Sequence, residues 1–119
     1  MAKAVKDNPN PRIIHFTGKK INHLPILNGP PESVSMRSGL VLLTSGKSVG
    51  KHSTENFEEL IVILEGNGQV LITGQKPFEI KFGVAVYCPP ETEHNVVNTG
   101  SESLRYLYIV AKVKNKPDK

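Results

Sequence analysis

The chain has 119 residues, of which 38% are hydrophobic and 22% are charged, and these values are typical of one ordinary folded domain. The longest uninterrupted apolar run, residues 106–111, is far shorter than the about 20 residues that a membrane-spanning helix needs. No apolar stretch follows the basic N-terminal residues, so a secretory signal is not expected. With Cys88 as the single cysteine, an internal disulfide and a paired-thiol metal site are both excluded. We therefore expect a cytoplasmic protein that does not enter a membrane.

The net charge of +4 is concentrated at the two ends of the chain. Residues 1–12 carry a net charge of +2 and residues 112–119 carry +3, whereas residues 13–111 carry −1. A nearly neutral body without a clustered basic face argues against nucleic acid as a partner. This pattern predicts a flexible basic tail over residues 1–12, a single domain over 13–112 and a second basic tail over 113–119.

Short apolar-rich runs between glycine and proline turn signals indicate β-strands. In chain order, the predicted strands are 13–16, 40–44, 60–65, 69–73, 78–82, 84–87, 95–98 and 104–112. Residues 21–36 contain three prolines and are expected to form a long connection or an edge piece. The pair Asn67-Gly68 lies between two strand runs and predicts a two-residue hairpin. Eight short strands indicate an all-β sandwich or a small barrel.

Two of these runs also fit the spacing of an amphipathic helix, because apolar residues recur at helical intervals within 57–64 and within 104–111. Strands are preferred for both. The first run contains three consecutive β-branched residues, Ile61, Val62 and Ile63, and the second contains two tyrosines that suit a pleated surface. No confident helix is therefore predicted anywhere in the chain.

Two segments carry potential metal ligands at regular spacings. The first, over residues 46–66, contains His52 and Glu59, and the second, over residues 83–98, contains His94. These segments resemble the two motifs of the cupin superfamily, GX5HXHX4EX6G and GX5PXGX2HX3N, with every spacing kept and eight of the ten fixed positions matched. The departures are Thr54, in place of the second histidine, and Glu91, in place of a turn glycine.

The resemblance covers roughly residues 36–112 and implies a small single-domain cupin of the RmlC-like type. The implied fold is all-β, a cupin-type double-stranded β-helix or jelly-roll barrel. Glu91 in the glycine position implies that this turn either does not require positive φ or tolerates the strain. Family members are commonly homodimers, so residues 13–16 are expected to join the sheet of a partner copy and cover an exposed edge.

The resemblance also implies that His52, Glu59 and His94 hold one divalent metal ion inside the barrel. Strand alternation is compatible with this, because residues two apart share a face. Two imidazoles and one carboxylate leave open positions on an ion, and the set serves non-haem iron as well as catalytic zinc. The candidates for the ion are iron, manganese, nickel and zinc, and the sequence does not decide between them. Thr54 either hydrogen-bonds a metal-bound water or marks a site that has abandoned the metal.

Further residues are candidates for the surroundings of the metal or for the pocket. They are Thr54, Tyr106, Tyr108 and Cys88. Core packing is the preferred interpretation for the tyrosines, and Cys88 is expected to pack as a small hydrophobe or to lie beside the pocket. His15 and His23 belong to no motif and are interpreted as structural.

Two classes of function remain open. The first is a metal-dependent enzyme or sensor for a small polar oxygenated molecule, such as a sugar derivative, a keto acid or a phenolic compound. An oxygenase would bring a chelating substrate and dioxygen together, whereas an isomerase would polarise a carbonyl while a carboxylate or tyrosine moves a proton. The second class is a metal-free module that binds a small ligand or serves a structural role.

Overall fold

The computed structural model of the protein describes residues 9–16 and 21–113. Those residues form nine strands and no helix: β1 (His23–Asn28), β2 (Arg37–Leu43), β3 (His52–Ser53), β4 (Phe57–Glu65), β5 (Asn67–Ile72), β6 (Phe78–Lys81), β7 (Ala85–Cys88), β8 (Glu93–Val97) and β9 (Leu104–Lys112). A helix able to cross a membrane is therefore absent from the described ranges.

The strands form two antiparallel sheets that enclose one core. The first sheet has the order β1-β2-β9-β4-β7, and the second has the order β3-β8-β5-β6. Both sheets contribute to the central cluster of buried side chains, for example Ile61 and Leu104 from the first and Val70 and Val96 from the second. This is the two-layer, all-β architecture that the sequence predicts, and the side chains between the layers determine the shape of the interior.

Strand alternation accounts for which side chains enter that interior. Along β4, Glu59, Ile61 and Ile63 are buried at 9%, 0% and 1% exposure, whereas Leu60 is 38% exposed. The period of two contradicts the helical alternative for this run and confirms the strand. The strand prediction for 104–112 is confirmed as well, since β9 has the same bounds.

The strands differ from the predicted ones in three places. Residues 13–16 carry no strand within the single chain of this structure, and their pairing with the sheet of a partner copy stays a prediction. Residues 21–36, expected to be a connection or an edge piece, contain the edge strand β1. Its Pro25 fits an edge, and the pairing with β2 shifts register directly after it. The strand β3 was missed because two residues are too few to produce a pattern.

The hairpin predicted at Asn67-Gly68 is wrong. Strands β4 and β5 follow each other in the chain but lie in different sheets, because both edges of β4 are already paired, with β7 and β9. Asn67 and Gly68 begin β5 and pair with β6. The chain crosses between the layers at Gly66, which has φ +89° and packs so closely on the backbone of Ser103 that a side chain has no room.

Asn98 holds the end of the second motif in place. Its side chain is fully buried and donates to the backbone oxygens of Leu43, at 2.9 Å, and Glu102, at 2.8 Å. Its Oδ1 accepts a hydrogen bond from the backbone N–H of Gly100. Asn98 therefore closes a turn and links it to β2, and this role requires no ligand.

Candidate metal centre

The two motif histidines come from paired strands of the same sheet. His52 in β3 is the direct register partner of His94 in β8, and their ring centroids lie 4.4 Å apart. His94 is 1% exposed, whereas His52 lies at the exposed mouth of the cavity. One imidazole is thus fixed by packing and the other faces the entrance.

Glu59 reaches the same point from the opposite sheet. Its Oε1 lies 3.0 Å from Nε2 of His94, and one ligand atom from each of His52, Glu59 and His94 lies within 4.8 Å of the others. Two ligands at neighbouring octahedral positions about 2.1 Å from an ion are about 3.0 Å apart. The separation of Glu59 and His94 therefore fits two ligands on a common ion as well as a direct hydrogen bond.

The hydrogen bonds of the histidines leave suitable nitrogen atoms for a metal. Nδ1 of His94 lies 3.1 Å from the backbone oxygen of Thr92, and Nδ1 of His52 lies 2.8 Å from the backbone oxygen of Gly50. A carbonyl oxygen only accepts, so each Nδ1 carries the proton and donates it. The neutral ring then presents the lone pair of Nε2, and for His94 this lone pair faces the carboxylate of Glu59. A proton or a cation between the two atoms is required to hold them 3.0 Å apart.

The electrostatics of His94 agree with that requirement. Burial by itself lowers the pKa of this imidazole, but the hydrogen bond to Glu59, the carbonyl of Thr92 and the negative charge of Glu59 together outweigh burial and raise the pKa above 6.5. In the absence of a metal, the raised pKa of His94 therefore favours a proton between His94 and Glu59. A divalent cation bound there would replace that proton in the same position.

Thr54 does not take the place of a ligand. It is 7% exposed, and its hydroxyl donates to the backbone oxygen of Pro89 at 2.7 Å and accepts from the backbone N–H of Thr92 at 2.9 Å. Its single proton is thus committed to Pro89, so Thr54 would meet a metal-bound water only as an acceptor, through its remaining lone pair. Thr54 instead ties β3 to the loop that precedes His94, and the same Thr92 orients the His94 ring through its carbonyl.

That loop contains the second departure from the motif, Glu91. Its φ is +58°, so the turn does require the left-handed conformation, and the strain of a non-glycine residue is tolerated there. The backbone N–H of Glu91 donates to the carbonyl of Glu55 at 2.8 Å, which helps to hold the turn.

We expect Glu91→Gly to raise the free energy of unfolding by about 1 kcal/mol, because it relieves the left-handed strain of a residue with a Cβ atom. Chemical denaturation measures the change. Glu102→Gly, at an exposed bend with ordinary φ, is the control and is expected to lower stability slightly. Equal effects of the two substitutions would contradict the assignment of strain to Glu91.

A cavity of about 910 Å³ opens beside the three candidate ligands. Thr54, Tyr106 and Tyr108 are among the residues that line it. Tyr106 is 3% exposed and also packs in the core, and burial raises its pKa far above the ordinary value. Cys88, the register partner of Glu59, is fully buried in the core and is not among the lining residues. Burial raises the pKa of its thiol to about 11, so it is an unreactive packing residue.

His23 is a site residue that the sequence interpretation missed. It lines the cavity, and its Nε2 lies 2.6 Å from the hydroxyl of Tyr108. His23 belongs to no motif, and only the pairing of β1 with β2 brings it to the cavity. Gly39 makes room for the tyrosine, since a Cβ there would lie 2.7 Å from the Tyr108 hydroxyl. His15 is exposed and is not among the lining residues.

Related sequences place these features in a known family. Residues 39–110 match the Cupin_2 family, described as a cupin domain. The chain is 34% identical over 89 residues to the "Uncharacterized protein MJ1618" of Methanocaldococcus jannaschii, a match that covers 75% of this chain and 67% of that protein. It is also 48% identical over 50 residues to the dimethylsulfoniopropionate lyase DddW of Ruegeria pomeroyi. That match covers 42% of this chain and 32% of the lyase.

Solved structures of low sequence identity share the fold. BH2720 of Bacillus halodurans superposes with a TM-score of 0.74 at 18% identity, covering 92% of this chain and 89% of that one. An RmlC-like cupin family protein with a double-stranded β-helix fold from Methanocaldococcus jannaschii gives a TM-score of 0.73 at 20% identity, covering 86% and 91%. Because the family match spans more than half of the chain and the two-sheet architecture agrees with it, the chain belongs to the Cupin_2 family.

Proposed function

We propose that this protein binds one divalent metal ion through His52, Glu59 and His94 and acts on a small polar oxygenated molecule in the adjoining cavity. The observation that carries the proposal is the contact between His94 and Glu59. Their 3.0 Å approach needs a cation or a proton between them, and the Nδ1 protons donated to backbone carbonyls leave Nε2 of both histidines available to bind an ion. An ion held there would act as a Lewis acid on a bound oxygen atom.

Proton transfer is the reaction type that the neighbouring side chains favour. Tyr108 lies on the same inner face as Glu59, diagonally across β9 and β4, where such neighbours are about 7–8 Å apart. Burial raises the pKa of the Tyr108 phenol, so a free phenolate would be costly. The contact with His23 avoids that cost, because Tyr108 can pass its hydroxyl proton to Nε2 of His23 while it accepts a proton from a bound molecule. This supports an isomerase-like reaction over a dioxygenase-like one.

The similarity to a lyase agrees with proton-transfer chemistry. The substrate of that lyase is not assigned to this protein, because the matched segment covers only 32% of the lyase. The alternative is a metal-free module that binds a small ligand or serves a structural role. Two observations favour it: the His94–Glu59 pair is satisfied by a shared proton alone, and Thr54 replaces a possible ligand with a hydroxyl bonded to the backbone.

The test combines metal content with proton exchange. We expect protein purified without chelators to contain close to one equivalent of iron, manganese, nickel or zinc, and to catalyse deuterium incorporation next to the carbonyl of small keto acids or keto sugars in D2O, followed by NMR. The Tyr108→Phe variant should keep the metal, but its rate of deuterium exchange should be at least tenfold lower, because the phenol is the proposed proton carrier. Consumption of dioxygen without exchange would contradict the isomerase-like reaction, and protein with neither metal nor exchange would support the alternative.

Assembly and location belong to the same proposal. We infer a cytoplasmic homodimer with one domain over residues 13–112, and the basic tails expected over 1–12 and 113–119 lie largely outside the described residues. The edge strand β1, at one end of the five-stranded sheet, offers unpaired backbone groups that a second copy could cover. Light scattering decides between the dimer and a monomer.

A further inference from the structure

Arg37 faces the same cavity as the proposed metal ligands. Arg37 in β2, Val110 in β9 and Glu59 in β4 are register partners across three neighbouring strands, and all three line the cavity. Register partners share a face of the sheet, and neighbouring strands lie about 4.8 Å apart, so the Cα atoms of Arg37 and Glu59 are about 10 Å apart. Arg37 lies outside residues 39–110, the part of the chain that matches the family.

The guanidinium of Arg37 is positioned but lacks an acidic partner. Its central carbon lies 4.5 Å from the centroid of the Phe57 ring, which also lines the cavity. Stacking occupies the flat face of the group and leaves the N–H donors at its edge available for a planar acceptor. Within residues 9–16 and 21–113, no carboxylate lies within ion-pair distance of Arg37.

The charge of the cavity favours an anion. Among the lining residues, Glu59 is the single acidic side chain, whereas Arg37 and Lys47 are both cationic. A divalent ion at the proposed site would add two positive charges. The cavity is therefore positive although residues 13–111 as a whole carry −1, and a positive concave surface concentrates anionic ligands.

The Tyr108 hydroxyl adds a polar group beside Arg37. Tyr108 pairs with Gly39, two residues along β2 from Arg37, so the two side chains are diagonal neighbours on the inner face. Burial raises the pKa of Tyr108, and the charge of Arg37 opposes that rise, in keeping with their proximity. The cavity thus has a cationic, hydrogen-bonding wall about two strands from Glu59.

We propose that Arg37 binds a carboxylate group of the ligand, so that the ligand is a small organic dianion with chelating oxygens at one end and a carboxylate at the other. The inference rests on the proposed function for the chelating end only. Arginine matches the two oxygens of a carboxylate with two parallel N–H donors, which makes it a selective anchor for that group.

The probes are pairs of 2-hydroxy acids that differ in the distal carboxylate: malate against lactate, and 2-hydroxyglutarate against 2-hydroxybutyrate. Calorimetry on Ni²⁺-loaded protein should show tighter binding of at least one dianion than of its counterpart. Arg37→Gln should lower the affinity for that dianion about tenfold and the affinity for its counterpart less than twofold. Arg37→Lys should retain part of the preference for the dianion. Arg105→Gln is the matched control, because Arg105 is not among the residues that line the cavity. This substitution should change neither the affinity for the dianion nor the affinity for its counterpart.

Three results would overturn the role of Arg37: equal affinities within both pairs, equal losses for both members of a pair in Arg37→Gln, or no dianion binding at millimolar concentration. Unchanged thermal midpoints show that the variants are folded. Metal content is measured on the same samples, and failure to hold Ni²⁺ contradicts the proposed metal site instead. The comparison is then repeated on metal-free protein, where the Arg37-dependent preference for a dianion is still expected because the guanidinium contacts the distal carboxylate directly.

Discussion

His94→Ala is expected to reduce the bound metal from close to one equivalent per chain to less than a tenth and to lower the free energy of unfolding by about 3 kcal/mol. Both effects follow from the position of His94, which is 1% exposed and paired with Glu59. Removal of the imidazole leaves the carboxylate without its cationic or hydrogen-bonding partner in a largely buried site. Elemental analysis measures the metal, and denaturant unfolding measures the stability.

A second variant separates the loss of metal from the loss of fold. The side chain of His52 lies at the exposed mouth of the cavity, and its one hydrogen bond among the described residues is to the Gly50 carbonyl. His52→Ala should therefore fold almost as well as the natural chain while it loses most of the metal. His15→Ala, at an exposed position outside the cavity, should change neither property. Retention of metal at the original level by both His52→Ala and His94→Ala would refute the assignment of the ligands.

Metal removal is expected to reverse the pH dependence of thermal stability. In the metal-free protein the pKa of His94 is raised above 6.5, because its bonds to Glu59 and Thr92 outweigh the opposing effect of burial. The folded state then binds this proton more tightly than the unfolded state does. The resulting stabilisation is fully present below about pH 6.5 and is lost as the pH rises through the raised pKa of the folded state. The melting temperature of the metal-free protein should fall between about pH 6 and pH 8.5.

The metal-bound protein should show the opposite trend. The ion displaces the proton at Nε2 of His94, so the apparent metal affinity should rise by up to about tenfold per pH unit until the pH exceeds that pKa. Thermal melting at about pH 6 and at about pH 8.5, once with a chelator and once with one equivalent of Ni²⁺, measures both trends. In the metal-free His94→Gln variant, this fall of the melting temperature with rising pH should disappear. A metal-free protein that is equally stable or more stable at pH 8.5 would count against the shared proton.

The sequence alone was sufficient to predict the fold class and the candidate ligands. Alternation along residues 60–65 and 104–112 depends only on neighbours in the chain, so it identified β4 and β9 without knowledge of their partners. The two motif spacings selected His52, Glu59 and His94, and the structure brings these side chains together.

Pairings between distant segments were decided only by the tertiary structure. Local turn preference favours a hairpin at Asn67-Gly68, but β7 and β9 occupy both edges of β4 and direct β5 into the other sheet. The role of Thr54 depends on its contact with the distant Pro89, and His23 and Arg37 reach the cavity through sheet register. Local conformational preferences act over a few residues. By contrast, Thr54 and Pro89 are 35 positions apart in the chain, and His23 and Tyr108 are 85 positions apart. Spacing along the chain therefore identified the candidate metal ligands, and only the packing of two sheets determined what surrounds them.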